Sequence, residues 1–71
     1  MGKVIIFGKD DCPYTTAARR DYTKRNVPFV YKDVGHDLSA LNEMRLYVSN
    51  DPRVPVIVEN GRVQVGYQGG T

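Results

Sequence analysis

The residues with the clearest capacity for chemistry lie in the stretch Lys9-Asp10-Asp11-Cys12-Pro13-Tyr14-Thr15, around the only cysteine of the chain. Proline is favoured at the first position of a helix because its missing N–H has no intrahelical partner there, so Pro13 predicts that Cys12 is a helix N-cap. Unpaired N–H groups and the positive end of the helix dipole stabilise a thiolate, and such cysteines have pKa values of about 3.5–7.5. We therefore predict that Cys12 is a nucleophile. The alternative is a small buried hydrophobic residue, the role of most free cysteines.

A strand and a helix must position this loop. The apolar, β-branched run of residues 3–7 predicts a strand covered on both faces, and the helix-forming residues 13–25 predict a helix. Asn26 suits the left-handed position that ends a helix, and residues 27–31 predict a second strand. A strand, a helix and a strand in this order form a right-handed unit with parallel strands.

The second half of the chain predicts a helix followed by a hairpin. Asp37 is a suitable N-cap for a helix that runs to about residue 49. Residues 55–59 and 62–65 predict two strands, and Asn60-Gly61 between them is the strongest short signal for a tight hairpin turn. The apolar face predicted for the helix consists of Leu38, Leu41, Met44 and Val48. The predicted order of elements is therefore β-α-β-α-β-β.

Length and composition predict a single domain over residues 1–71, and chains of this size bury only about 60% of their unfolded surface. The single cysteine, with no apolar leader after Met1, predicts a reducing, cytoplasmic location. No run approaches the roughly 18 apolar residues of a membrane span, and the net charge of +2 is mild and dispersed. We therefore predict neither a nucleic acid nor a membrane as partner.

The motif formed by Lys9, two residues, and Cys12-Pro13-Tyr14 resembles the active-site loop of glutaredoxins, small thiol oxidoreductases with the thioredoxin fold. The resemblance implies an α/β, thioredoxin-like fold with a mixed four-stranded sheet, without the usual C-terminal helix. Thr15 stands in place of the second cysteine of the dithiol members, which implies a monothiol mechanism. Its hydroxyl either donates a hydrogen bond to the thiolate or is a silent replacement.

The same resemblance implies a glutathione site and no cofactor beyond this co-substrate. Lys9 corresponds to a lysine that holds a glutathione carboxylate and helps to stabilise the thiolate, and Tyr14 corresponds to a wall of the groove. Val54-Pro55 corresponds to a turn with a cis proline, at which the backbone of Val54 pairs with the cysteinyl backbone of glutathione. Arg53 replaces the family's threonine, and it either contacts a glutathione carboxylate bidentately or is solvated.

The chain after the last predicted strand departs from the family pattern. Gly66 and Tyr67 correspond to the region in which small residues admit the ligand backbone, and this implies that both contact glutathione. Gln68 and Gly69 stand where the family has an acidic pair that binds the glutathione amine. Residues 69–71 predict a flexible tail. The chain is also similar to a group of short bacterial glutaredoxin-like proteins, some of which are selenoproteins with a selenocysteine or cysteine near the end.

The functional prediction is a thiol–disulfide oxidoreductase that uses Cys12, with glutathione or another small thiol and a protein disulfide as its partners. One alternative is an iron–sulfur carrier, in which two chains each contribute Cys12 and two glutathione thiols complete the four ligands. The other is a redox-inert binding module with an ordinary thiol pKa. Because the last helix is missing, one sheet face is expected to be uncovered, which would permit a homodimer.

Overall fold

The computed structural model describes residues 3–71, and the predicted order of elements is confirmed there. The elements are β1 (Val4–Gly8), α1 (Pro13–Lys24), β2 (Phe29–Asp33), α2 (Leu38–Val48), β3 (Val56–Glu59) and β4 (Arg62–Val65). The strands form one sheet in the order β2-β1-β3-β4. β1 is parallel to β2 and antiparallel to β3, and β3 is antiparallel to β4, so the sheet is mixed as expected.

β1 lies in the middle of the protein because its side chains alternate between two cores, one on each sheet face. On one face, α1 packs on the sheet with a core of Val4, Ile6, Ala18, Tyr22 and Ile57. On the other face, α2 packs on a core of Phe7, Val34, Ala40, Met44, Val54, Val56 and Val58. The central strand therefore delivers the loop after Gly8 to a fixed place at one end of the sheet.

The predicted helix ends are largely confirmed. Asn26 has φ +58, and the Asp37 side chain accepts hydrogen bonds from the N–H groups of Ser39 and Ala40 at 2.9 and 3.4 Å. Leu38 was wrongly predicted as part of the buried face of α2, since it is 70% exposed. At 3.6 residues per turn, Leu38 lies about 160° around the helix from the buried Ala40, so it faces away from the sheet.

β1 and α1 approach each other most closely at Gly8 and Thr15. The Thr15 side chain is completely buried, and its Oγ1 lies 2.6 Å from the position that a Cβ would occupy at Gly8. Only a residue without a side chain fits at position 8 while the threonine keeps this place. This contact sets how closely the first turn of α1 approaches the end of the central strand.

The segment after β4 forms a tight turn, so the flexible tail expected at residues 69–71 is wrong. The N–H of Tyr67 donates to the Gly70 carbonyl at 2.8 Å, and the N–H of Gly70 donates back at 3.0 Å. Gln68 and Gly69, which lie between them, have φ +52 and +81. Positive φ at both central residues is typical of the type I′ turn, a common two-residue hairpin loop. We call residues 67–70 the C-terminal turn.

No helix follows β4 within residues 3–71. One face of β4 carries the partly exposed Val63, and the other carries the polar Arg62 and Gln64. A shallow depression of about 260 Å³ on the polar face is lined by Ile57, Glu59, Asn60, Arg62 and Gln64. The homodimer expected from an uncovered apolar face stays a prediction. In the described part of the chain, neither helix is long and apolar enough to cross a membrane.

The contact of Thr15 with Gly8 can be tested with Gly8→Ala. The new methyl group would overlap the buried threonine side chain, and overpacking of this kind costs about 1–3 kcal/mol of the free energy of unfolding. Urea unfolding followed by circular dichroism measures this loss. Gly35→Ala is the control, because a Cβ there would crowd only the Asp33 carboxylate oxygen, at 3.3 Å, which a small shift of that side chain relieves, and we expect a smaller loss than at Gly8. Equal effects of the two substitutions would contradict the packing argument.

Candidate active site

Cys12 lies where the loop after β1 enters α1, and its predicted N-cap position is confirmed. Pro13 is the first residue of the helix, and the Cys12 carbonyl accepts the first helical hydrogen bond from the N–H of Thr16 at 3.1 Å. The N–H of Cys12 donates to the Lys9 carbonyl at 3.1 Å, which closes the loop into a turn. The half-buried thiol thus belongs to the residue at the N-terminus of α1, where the N–H groups of the first turn lack helical partners, although its side chain caps none of them.

Opposing interactions determine the ionisation of Cys12. Burial disfavours the charged form, but the hydrogen bonds that an ionised sulfur would accept from the Thr15 side chain and from the backbone of Thr15 and Tyr14 favour it. The carboxylate of Asp11 acts against them by repulsion. Taken together, these interactions hold the pKa of the Cys12 thiol below its ordinary value. A larger share of the protein therefore carries a thiolate at neutral pH than a free thiol would.

The Thr15 hydroxyl is the buried polar group nearest to this chemistry. Its Oγ1 has no hydrogen-bond partner among residues 3–71 as the site stands, while the thiol of Cys12 directs its own proton to the Val54 carbonyl at 3.9 Å. Ionisation removes that proton and turns the sulfur into an acceptor. The hydroxyl then has an acceptor in reach, which explains why it lowers the pKa of Cys12.

The loop before β3 forms the opposite wall of the site. The Val54–Pro55 peptide bond is cis, as the resemblance implied, and both residues are buried. The carbonyl of Val54 faces the sulfur of Cys12. The Pro55 carbonyl accepts a hydrogen bond from the N–H of Gly66 at 2.7 Å, so the segment after β4 is fixed against this wall.

Arg53, on the exposed side of the same loop, holds a carboxylate of the chain itself. Its Nη2 lies 2.7 Å from Asp51 Oδ2, and its Nε lies 3.0 Å from Oδ1 and 3.1 Å from Oδ2. Asp51 Oδ1 also accepts the backbone N–H of Arg53 at 3.0 Å. These hydrogen bonds from Arg53 lower the pKa of Asp51 to about 2. The guanidinium is thus paired with a carboxylate of the chain itself, a contact that the sequence analysis did not predict.

The remaining residues implied by the resemblance are divided between the rim and the interior. Lys9 is exposed, and the half-exposed ring of Tyr14 packs against the backbone of Gly70 in the C-terminal turn. Gly66 is buried with φ +89 and faces the Gly70 carbonyl. Tyr67 directs its hydroxyl to Asp21 of α1 at 2.9 Å, so this side chain serves the packing of the turn onto the helix.

The structure therefore brings Cys12, Thr15, Val54 and Pro55 together, with Tyr14 and Gly66 joined through the C-terminal turn. The sequence interpretation missed Asp51, although an Asp two residues before an Arg is a common turn pattern in which the carboxylate bonds the backbone. It also missed Gly70. The signal there was Gln68-Gly69 soon after β4, which ends at Val65, because this pair suits a hairpin turn with positive φ.

One group of side chains in the described residues has the composition of a metal site, and it does not include Cys12. Ligand atoms of Asp10, Asp33 and His36 lie within 4.8 Å of one another, with Asp33 at the end of β2 and the other two in exposed loops. His36 Nδ1 lies 2.7 Å from Asp33 Oδ2, and a hydrogen bond to this carboxylate raises the pKa of His36. Tyr31 donates its hydroxyl proton to Asp10 at 2.8 Å. These groups satisfy one another, and we assign no metal to them.

Comparison with solved structures confirms the thioredoxin-like fold. A single-substitution variant of the thioredoxin-like protein BC3987 is 29% identical, with a TM-score of 0.81 over 96% of this chain and 86% of its own. A glutaredoxin from Archaeoglobus fulgidus is 19% identical, with a TM-score of 0.76 over 94% and 77%. Glutaredoxin 1 from Francisella tularensis, in complex with cacodylate, is 20% identical, with a TM-score of 0.66 over 94% and 85%. At such low identities, the two glutaredoxins show the fold alone.

The sequence comparisons identify the family. No curated protein sequence matches the chain. The family model described as Glutaredoxin matches residues 4–64, which span β1 through most of β4 and include both walls of the site. This match supports a thiol–disulfide oxidoreductase role in general terms. The chain belongs to the glutaredoxin family.

Proposed function

We propose that this protein is a cytoplasmic thiol–disulfide oxidoreductase in which Cys12 alone acts on mixed disulfides between a protein and a small thiol such as glutathione. The observation that carries the proposal is the half-buried thiol of Cys12 at the start of α1, with a lowered pKa and the Val54 carbonyl opposite. Thiol–disulfide exchange requires a thiolate as the attacking group. A redox-inert binding module would retain an ordinary thiol, so the lowered pKa favours exchange.

The first step is the attack of the Cys12 thiolate on the sulfur of the small thiol in the mixed disulfide. A new bond forms between the two sulfurs, and the original S–S bond breaks. The protein sulfur leaves with the electron pair and takes a proton from water. The substrate protein is thereby reduced, and Cys12 becomes oxidised as a mixed disulfide with the small thiol.

The second step needs another small thiol, because Cys12 is the only cysteine of the chain. The thiolate of this second molecule attacks the small-thiol sulfur that is bound to Cys12. The two small thiols leave as a symmetrical disulfide, and the Cys12 thiolate is regenerated. Its low pKa assists here as well, because a more acidic thiol is a better leaving group.

The walls of the site suit a small extended thiol compound. The backbone of Val54 offers hydrogen-bonding groups beside the sulfur, and the ring of Tyr14 offers an apolar surface on the other side. Lys9 and Arg53 provide positive charge at the rim for the carboxylates of glutathione. Gly66 and Tyr67 close the far end through the C-terminal turn.

Thr15 is proposed to act as a positioning residue for the thiolate. Its hydroxyl is buried, it has no partner among residues 3–71, and Gly8 leaves the space in which it is held. Donation of a hydrogen bond to an ionised sulfur would satisfy the hydroxyl and stabilise the charge together. The replacement of a second cysteine by threonine therefore contributes to the chemistry of Cys12.

The exchange activity is tested with the full chain and a peptide that carries a glutathione mixed disulfide. We expect glutathione to reduce the peptide faster in the presence of the protein, and Cys12→Ser to abolish the acceleration. Mass spectrometry should find one glutathione on Cys12 during turnover. A rate no higher than that of a free thiol would overturn the proposal. If visible absorbance also appeared after anaerobic reconstitution with iron and sulfide, that result would favour the iron–sulfur carrier.

The role of Thr15 is tested by comparing Thr15→Val with Thr15→Ser. Valine keeps the shape and removes the donor, so we expect the pKa of Cys12 to rise and alkylation at neutral pH to slow about fivefold, equivalent to about 1 kcal/mol. Serine keeps the hydroxyl and should stay close to the wild-type rate. Ultraviolet absorbance of the thiolate against pH gives the ionisation directly, with Cys12→Ser as background. If valine left the titration unchanged, the hydroxyl would have no role in ionisation.

A further inference from the structure

The most complete charged contact beside the site is the one between Arg53 and Asp51. Both carboxylate oxygens are used, with three side-chain N···O distances between 2.7 and 3.1 Å. Both side chains keep access to solvent, since 61% of the Arg53 side chain and 25% of the Asp51 side chain are exposed. The contact is therefore open to a competing ion from solution.

The position of Arg53 places this contact next to the reacting atom. Arg53 directly precedes Val54, whose carbonyl lies 3.9 Å from the Cys12 sulfur. Consecutive Cα atoms are about 3.8 Å apart, so the long arginine side chain can reach a small molecule joined to that sulfur. A substrate carboxylate that extends to this side of the loop would meet the guanidinium.

We propose that Asp51 is a specificity-determining residue, whose carboxylate occupies the guanidinium fork of Arg53 and competes there with the carboxylate of an anionic disulfide substrate. The inference rests on the proposed function and adds to it a preference among substrates. Asp51 weakens the advantage that an anionic small thiol would gain from Arg53. Neutral disulfides, which do not use the fork, are unaffected.

The competition follows from the geometry of the fork. The Nε and Nη2 groups that face Asp51 present two parallel N–H donors, and a bidentate pair accommodates one carboxylate at a time. The apparent affinity of a substrate that needs the free fork equals its intrinsic affinity multiplied by the fraction of molecules in which the fork is open. An exposed ion pair shifts such an equilibrium by no more than about fivefold, so the substrate can displace Asp51.

Asp51 has a second contact that the test must separate from the first. Its Oδ1 accepts the backbone N–H of Arg53 and so supports the turn that leads to Val54. Asparagine in this position keeps an oxygen for that hydrogen bond and loses the charge that attracts the guanidinium. Alanine loses both. Asp51→Asn therefore keeps the backbone contact and frees the fork, but it also raises the local charge by one unit, so a control of equal charge without the fork is needed.

The experiment measures the second-order rate constant of the first exchange step, with the reduced full chain and two disulfides. One is the mixed disulfide of glutathione with 2-hydroxyethanethiol, which is anionic, and the other is bis(2-hydroxyethyl) disulfide, which is neutral. We expect Asp51→Asn to react about two- to fivefold faster than wild type with the anionic disulfide at low salt, and equally fast with the neutral one. The gain should shrink as salt is added.

Two further variants complete the comparison. In Asp51→Asn combined with Arg53→Lys the gain should largely disappear, because lysine keeps the positive charge of the single variant and has no bidentate fork. Asp51→Ala shows how much the backbone contact contributes to both rates. If Asp51→Asn changes the rate constants for both disulfides equally, or if the gain persists when Arg53 is replaced, this inference is overturned and the proposed function is not. A wild-type rate no higher than that of a free thiol with either disulfide would instead overturn the proposed function, and this inference with it.

Discussion

The structure around the site depends on the stabilisation of negative charge by the first turn of α1. The N–H groups there have no carbonyl partners within the helix, and Cys12 is the N-cap residue beside them. A sulfur can use these donors only if the helix begins at Pro13 and approaches the sheet closely. Gly8 permits that approach, since it leaves room for the buried side chain of Thr15. The reactivity of one atom thus depends on the packing between the central strand and the helix.

The opposite wall is fixed by different means. Val54 and Pro55 are buried against the core that α2 covers, and the N–H of Gly66 ties the segment after β4 to Pro55. The two walls come from segments about 40 residues apart in the chain, as the Cys12 to Val54 contact shows. Neither wall alone provides the geometry for exchange. The sheet holds both, because β1 and β3 are neighbours in it.

Much of the fold could be predicted from local patterns. The apolar run of β1, the proline at the start of α1, Asp37 and the Asn60-Gly61 turn are local patterns within a few residues, and the structure agrees with them. The cis bond before Pro55 came from family resemblance, since sequence alone favours trans. Leu38 was misplaced because an apolar residue at the first position of a helix satisfies the periodic pattern without meeting the sheet.

The contacts that could not be predicted are those between distant segments or between exposed side chains. The pairing of Arg53 with Asp51 depends on side-chain rotamers in a loop, and the packing of Gly70 on Tyr14 depends on the direction in which the chain leaves β4. Gly69 and Gly70 were interpreted as poor helix formers. The property of glycine that matters in the C-terminal turn is the positive φ that it permits, as at Gly69.

The packing of the C-terminal turn on Tyr14 also bears on the order in which the protein folds. Tyr14 and Gly70 are separated by nearly the whole chain, so closing this contact carries the entropy of a very long loop unless the sheet forms first. β1 pairs with β2 through a short helical crossover, whereas the segment after β4 has to wait for β3 to dock. The rim of the site is therefore among the last parts of the protein to form. Contacts between residues so far apart in the sequence slow the folding of a small domain.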